Sequence, residues 1–357
     1  MCQNAVTSRG LNDVELEPTK RHEPRVKLIL LYTRFFGENW NDHSSIGPLR
    51  PPLLPGEMAF DLCENTLCTI TYNHDLLPLA DAVGFHGPDI KVLPNRTRTD
   101  QIWFYFIMEN PSNRNISAFN GIFNWTMTYR GKSEIHVPYG RYTPRGPGYQ
   151  DSGEIDLEYK DMLVSWMVSN CNGKERNDYV AELSKHIQVD IYGYCGTLMC
   201  PLPRRSTSCR LLLRRYKFYL AFENGNCREY ITEKYWENAL GNDVVPIVMG
   251  GGDYSNPKLA IPHSYIDVRD FASPKELASY LIYLHENNFE YLRYFKWKRL
   301  YKLTAPKRAC AVCDALHNSD LLYPPRVIVD MRDEWSKKEC RSLNLFNNSE
   351  SSVFIVS

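Results

Sequence analysis

Residues 216–252, YKFYLAFENGNCREYITEKYWENALGNDVVPIVMGGG, constrain this chain more than any other stretch. They place two buried-strand patterns on either side of one helical face. Residues 216–222 alternate and are rich in aromatics, and residues 244–249 form a second β-branched run closed by three glycines. Between them Ile231, Tyr235, Ala239 and Leu240 fall on one helical face, with Gly241 as the stop signal. Strand, helix and strand in that order make a parallel pair, because the helix carries the chain back to its starting edge. The first loop, residues 223–228, then lies at the carboxyl end of a strand, where open α/β sheets bind ligands. The helix start aims free N–H groups and a positive dipole end at that loop, and Lys234 adds a full charge. In outline this is a site for the phosphates of a nucleotide.

A second unit of the same kind precedes it. Residues 163–169 read as a strand and residues 175–186 as a helix with Tyr179, Val180, Leu183 and Ile187 on one face; residues 188–192 return as a strand. Arg176 opens that helix, at the position where a phosphate would bind. Two such units in series after residue 160 predict a Rossmann-like domain. Upstream, strands are expected at 26–33, 66–72 and, most clearly, at the apolar run 102–108, which Glu109 terminates. Residues 142–151, YTPRGPGYQD, read as a linker-like loop, and residues 1–24 as a poorly ordered head. A chain of 357 residues has room for two domains.

The 42 basic and 42 acidic residues cancel, which argues against a nucleic acid or an anionic membrane as the main partner. No run of 18 apolar residues occurs, and residues 1–24 lack the apolar centre of a signal peptide. Eleven cysteines point to an oxidising compartment, and the odd count leaves at least one thiol free or paired between chains. Cys310 and Cys313, with His317 nearby, could join Cys63 and Cys68 either in a zinc site or in two disulfides that clamp the ends of the fold. The secretory setting favours the disulfides. Of the sequons at Asn95, Asn115, Asn124 and Asn347, Asn124 sits inside an aromatic block and reads as structural.

The block FENGNCREYITEKYWENAL followed by VPIVMG is similar to the donor-binding signature of the α-1,3-fucosyltransferases, glycosyltransferase family 10. FNWTMTYR (123–130), VPYG (137–140), WMVSN (166–170), YFKWK (294–298) and CAVC (310–313) recur in the order of that family. The cysteine-rich VDIYGYCGTLMC (189–200) resembles the invertebrate and plant glycoprotein-core branch more than the vertebrate Lewis-antigen branch. The resemblance implies an α/β fold of GT-B type, two Rossmann-like domains facing each other across a cleft. An acceptor domain would occupy residues 25–155 and a GDP-fucose domain residues 156–300, with a tail at 301–357 packing back. It also implies disulfides from the closing CxxC to cysteines near the start of the acceptor domain. Members of the family are normally anchored in the Golgi membrane as type II proteins, so this sequence is expected to be the lumenal catalytic part.

By the same resemblance Arg176 and Lys234 hold the GDP diphosphate, Asn224 and Tyr230 contact the nucleotide, and Glu233 contacts the fucose hydroxyls or stabilises positive charge on its ring. The expected partners are GDP-fucose and an N-glycan or glycoprotein acceptor. The base that deprotonates the acceptor should come from the other domain, because an inverting displacement brings the acceptor to the face opposite the leaving group. Glu109 is the candidate, since the family shows a similar Glu before a turn, and the apolar IWFYFIM before it favours a raised pKa. Glu223 is a rival carboxylate whose place at a strand end suggests loop-fixing hydrogen bonds. No Asp-x-Asp occurs, so no metal site and no required cofactor are expected, although divalent ions could stimulate the reaction. The preferred acceptor is the innermost GlcNAc of an N-glycan core. The rival readings are Lewis-type fucosylation of N-acetyllactosamine and a non-catalytic nucleotide-sugar-binding relative. A nicotinamide-dependent oxidoreductase fails because neither unit carries GxGxxG.

Overall fold

The computed structural model describes residues 25–41, 53–111, 116–146, 148, 154–200, 207–324, 326–343 and 345. The head at 1–24, the sequons at Asn115 and Asn347, and Cys2 lie outside the described residues.

The first half forms a six-stranded sheet from β1 (Lys27–Leu31), β2 (Cys68–Thr71), β3 (Ala82–His86), β4 (Ile102–Phe106), β5 (Trp125–Thr128) and β6 (Ile135–His136). Its order is β2-β1-β3-β4-β5-β6, and every pairing is parallel. All five residues of β4, IWFYF, are buried, as both-face coverage of a parallel sheet demands.

After β7 (Arg141–Pro144) the second half builds a five-stranded sheet. Its strands are β8 (Met162–Met167), β9 (Val189–Tyr192), β10 (Tyr216–Phe222), β11 (Val245–Met249) and β12 (Ile266–Asp267), in the order β12-β11-β10-β8-β9. These pairings too are parallel. The two crossovers read from the sequence are both present: helix α1 (Lys174–Leu183) joins β8 to β9, and a shorter helical segment joins β10 to β11. The molecule is therefore α/β, with two parallel sheets.

Three groups of buried residues hold these layers. One packs an outer face of the first sheet against the helix Arg308–His317, and another packs the second sheet against α1 and the helix Pro274–Glu286. The third joins the halves, with Tyr105, Phe123, Tyr129 and Tyr139 on one side and Tyr219, Tyr230, Tyr235 and Trp236 on the other. The helix Arg308–His317 is bonded to the first half through Cys63–Cys310 and Cys68–Cys313. With the sulfurs of Cys68 and Cys313 paired, the cluster they form with His317 offers no thiolate to a metal; His317 Nε2 instead lies 3.0 Å from the Leu67 carbonyl. Three further disulfides join Cys171 to Cys195, Cys200 to Cys209 and Cys227 to Cys340.

Asn124 is structural, as expected. It is 4% exposed, accepts from Trp103 N at 2.8 Å and donates to Arg326 O at 2.7 Å.

Two local expectations are corrected. Part of the linker-like loop at 142–151 is strand: β7 pairs antiparallel with β13 (Tyr301–Thr304). Its partner is about 160 residues away in the chain, so no local pattern announced it; residues 147 and 149–153 lie outside the described residues. The second correction concerns the helix before β11. Lys234–Ala239 is π-helical and runs into a 3-10 turn at Leu240–Asn242. Gly241 lies inside that turn, and the left-handed residue that ends it is Asp243, with φ 58°. Asn242 Nδ2 donates to the carbonyls of Glu237 and Asn238 at 2.8 and 3.1 Å, doing the capping that a C-terminal glycine was expected to do.

Candidate functional site

The loop after β10 is organised by one buried carboxylate. Glu223 is 3% exposed at the strand end. Its Oε1 accepts from Thr232 N at 2.8 Å, and the Thr232 hydroxyl lies 2.9 and 2.8 Å from its two oxygens. Lys234 Nζ lies 3.0 Å from Glu223, 3.2 Å from Glu233 and 2.9 Å from the Thr232 hydroxyl. Burial alone would lower the Lys234 pKa; the Glu223 and Glu233 carboxylates override it and hold the ammonium above its ordinary value. The lysine is therefore fixed and charged, and it already belongs to an ion pair.

This changes the expected anion site at the helix entrance. Four of the amides there are engaged: Thr232 N is taken by Glu223, Tyr235 N and Trp236 N by the Thr232 carbonyl at 3.2 and 3.3 Å, and Lys234 N faces the Thr232 hydroxyl at 3.5 Å. Tight winding around Thr232 uses the donors that an ordinary α-helical start leaves open.

Arg176, in the first turn of α1, turns its side chain inward and is 3% exposed. Nη1 donates to Phe222 O at 3.1 Å and Nη2 to Asn170 O, so the guanidinium spans the carboxyl ends of β8 and β10. It also lies over the Trp166 ring, 5.7 Å from the centroid. Its buried Nε has no hydrogen-bond partner among the described residues. Burial lowers the Arg176 pKa, and Glu223 partly offsets that. A β-carbon at Gly173 would stand 2.6 Å from Nε, so the glycine before α1 is what lets this arginine fold back.

Opposite these residues stands the loop that follows β4. Glu109 lies three residues beyond the strand end and is half-buried. The next residue crosses to the other half: Asn110 Nδ2 donates to Asn224 Oδ1 at 3.0 Å. Tyr230 is 2% exposed, with its ring 5.0 Å from Tyr129 and 6.0 Å from Tyr139. Burial raises the Tyr230 pKa well above normal, and Tyr139, Glu109, Glu223 and Glu233 add to the effect. Tyr230 is thus a wall of the junction, mostly covered by aromatic neighbours. The six residues singled out in the sequence, Glu109, Arg176, Asn224, Tyr230, Glu233 and Lys234, converge on the carboxyl ends of β4, β8 and β10.

Sequence reasoning missed the supports. Glu229 adopts a left-handed φ of 60° and accepts from Gly131 N at 2.7 Å. A β-carbon at Gly251 would sit 2.3 Å from Asn226 backbone atoms, which explains one of the three glycines after β11 as a close approach to the loop. Tyr129 and Tyr139, inside blocks already noticed as motifs, could have been flagged; the contacts of the carboxyl-terminal tail could not, for they depend on distant residues.

Comparison with known proteins agrees with this architecture. Residues 24–140 match the fucosyltransferase amino-terminal family and residues 157–334 the family "Glycosyltransferase family 10 (fucosyltransferase) C-term". The chain is 36% identical over 343 residues to glycoprotein 3-alpha-L-fucosyltransferase A of Drosophila melanogaster, covering 93% of this chain and 66% of that protein. It is 41% identical over 256 residues to human 4-galactosyl-N-acetylglucosaminide 3-alpha-L-fucosyltransferase FUT5, covering 70% of this chain and 67% of that one. It thus spans about two thirds of the length of these relatives. A crystal structure of an alpha1,3-fucosyltransferase with GDP-fucose superposes with a TM-score of 0.51 at 18% identity, over 85% of this chain and 94% of the other. The shared fold is the GT-B type. On the family matches and these relatives, the chain belongs to glycosyltransferase family 10, the fucosyltransferases.

Proposed function

We propose that this chain transfers L-fucose from GDP-β-L-fucose to O3 of a GlcNAc, with inversion, and that the innermost GlcNAc of an N-glycan core is its acceptor. Glu109 takes the proton from the acceptor O3 as that oxygen bonds to C1 of fucose; the bond from C1 to the phosphate oxygen breaks, and GDP leaves with the electron pair. The observation that carries this reading is the Asn110–Asn224 hydrogen bond, which sets the carboxylate after β4 across from the loop after β10. The donor side, residues 156–300, supplies the Arg176 guanidinium and the fixed Lys234 ammonium; Asn224 and Tyr230 line the nucleotide side and Glu233 faces the sugar. The acceptor side, residues 25–155, supplies Glu109. The chemistry needs no resident metal in this account. We place the reaction in the Golgi lumen, where the disulfides and the family's acceptors belong; no helix among the described residues is long and apolar enough to cross a membrane.

The core acceptor is favoured because the match to the insect glycoprotein enzyme runs through 93% of the chain, against 70% for the human relative. The 41% identity to that human enzyme supports the second reading, Lewis-type transfer to N-acetyllactosamine.

Calorimetry with GDP tests the donor site. Arg176→Ala and Lys234→Ala each remove a charge-assisted contact and are expected to weaken binding by about 1.5 to 3 kcal/mol, roughly ten- to hundredfold. Lys234→Ala also strands the buried Glu223 carboxylate, so it should lower the melting temperature as well. Unchanged GDP affinity in both folded variants would remove these residues from the site.

A further inference from the structure

The loop after β10 is fastened from outside its own crossover. Cys227, inside the loop, is bonded to Cys340 of the tail. On either side of that link the backbones bind each other: Arg228 N donates to Glu339 O and Arg341 N to Asn226 O, each at 2.9 Å. Loop and tail thus meet as a short antiparallel bridge centred on the disulfide. The Glu175 carboxylate, in the first turn of α1, closes the arrangement by accepting from Asn226 Nδ2, Ser342 Oγ and, at 3.2 Å, Leu343 N.

The same tail is docked on the first half. Ile328 N donates to Phe123 O at 2.8 Å, Asn124 Nδ2 to Arg326 O at 2.7 Å, and Met331 N to Asn120 Oδ1 at 2.9 Å. Arg130, almost fully buried, pairs with Glu339 at 2.9 Å, one residue before the disulfide. One stretch of chain therefore grips the half that carries Glu109 and, a few residues on, the loop that carries Asn224.

We infer that residues 326–343 are a strap that positions the donor loop against the half bearing Glu109, with Cys227–Cys340 and Glu175 as its fasteners. This rests on reading residues 223–234 as the donor site. The loop is irregular, with a left-handed residue at Glu229. Released from the strap, it would spend only a fraction of its time in the binding geometry, and apparent donor affinity falls by that fraction. These are positioning residues: none needs to touch the substrate.

The test uses the full chain, with GDP, GDP-fucose and a core N-glycan peptide as probes. Cys227→Ser/Cys340→Ser is expected to raise the GDP Kd and the donor KM about tenfold, to leave the acceptor KM within about twofold, and to speed hydrogen exchange at the amides of residues 224–229. Glu175→Ala should shift the donor constants in the same direction, with Glu175→Gln recovering most of the loss, and these two variants carry the test if the cysteine variant does not fold. Unchanged GDP affinity in folded strap variants would overturn the inference, as would an equal rise in donor and acceptor KM, the mark of general loosening. Lys234→Ala separates the two claims. If it and Arg176→Ala also leave GDP affinity unchanged, the donor-site reading fails; if they weaken binding while the strap variants do not, only the strap fails.

Discussion

Glu109→Gln is expected to bind GDP almost as the parent does and to transfer fucose roughly 10²- to 10⁴-fold more slowly, the usual worth of a general base. Glutamine keeps the shape of the side chain and its capacity to accept a hydrogen bond, but it cannot take the acceptor proton. Hydrolysis of the donor by water, which is measured separately as free fucose, should fall much less. The comparison isolates base chemistry from folding, because a merely structural loss at Glu109 would lower GDP binding and both rates together. Near-native transfer would move the base elsewhere. Glu233 would then be the better candidate, for its side chain is 29% exposed, whereas that of Glu223 is fully buried and both its oxygens are engaged by Thr232 and Lys234.

The second large effect concerns the clamp between Cys63, Cys68 and the helix Arg308–His317. The two disulfides close loops with sequence separations of 247 and 245. In the chain-entropy view a first link of that length constrains the unfolded chain by ~5 kcal/mol, while the second, once the first is made, closes only a short loop and adds ~2 to 3 kcal/mol. Serine pairs replacing either disulfide should therefore each cost ~2 to 3 kcal/mol, and replacing both should cost ~7 to 8 kcal/mol, more than the ~4 to 6 kcal/mol sum of the single losses. A loss of that size is comparable to the whole stability of a typical domain, so the double variant should melt near or below physiological temperature. Calorimetric melts of the three variants decide this, and strictly additive losses would refute the shared-loop argument. Non-reducing peptide mapping checks the pairing itself.

Much of this architecture was legible because it is local. The run at 216–222 is fully buried strand, and the strand and helix patterns around Arg176 fall within a few residues of their observed ends. A parallel sheet covered on both faces writes itself as continuous apolar runs, and its crossovers as helical periodicity. The candidate site residues were singled out mainly through their blocks. What they touch was not, since Asn110 meets Asn224 across 114 residues and Arg176 meets Phe222 across 46. The π-helical turn at Lys234 was invisible for a different reason. Periodicity located its buried face at Tyr235 and Ala239, but nothing in that period records that Glu223 and Thr232 consume the donors at its entrance. The strand β7 was hidden by Gly and Pro residues just beyond it and by a partner at Tyr301–Thr304.

The most direct measurement is a transfer assay on the full chain with GDP-fucose and two acceptors, a core N-glycan peptide and N-acetyllactosamine, read by mass spectrometry with fragment ions locating any added sugar. The account predicts one added deoxyhexose on the innermost GlcNAc of the core glycan, linked through O3, and little or none on N-acetyllactosamine. Fucose on N-acetyllactosamine alone would contradict the core assignment while keeping the chemistry. No transfer to either acceptor, from a folded protein that still binds GDP, would contradict the proposed enzymatic function.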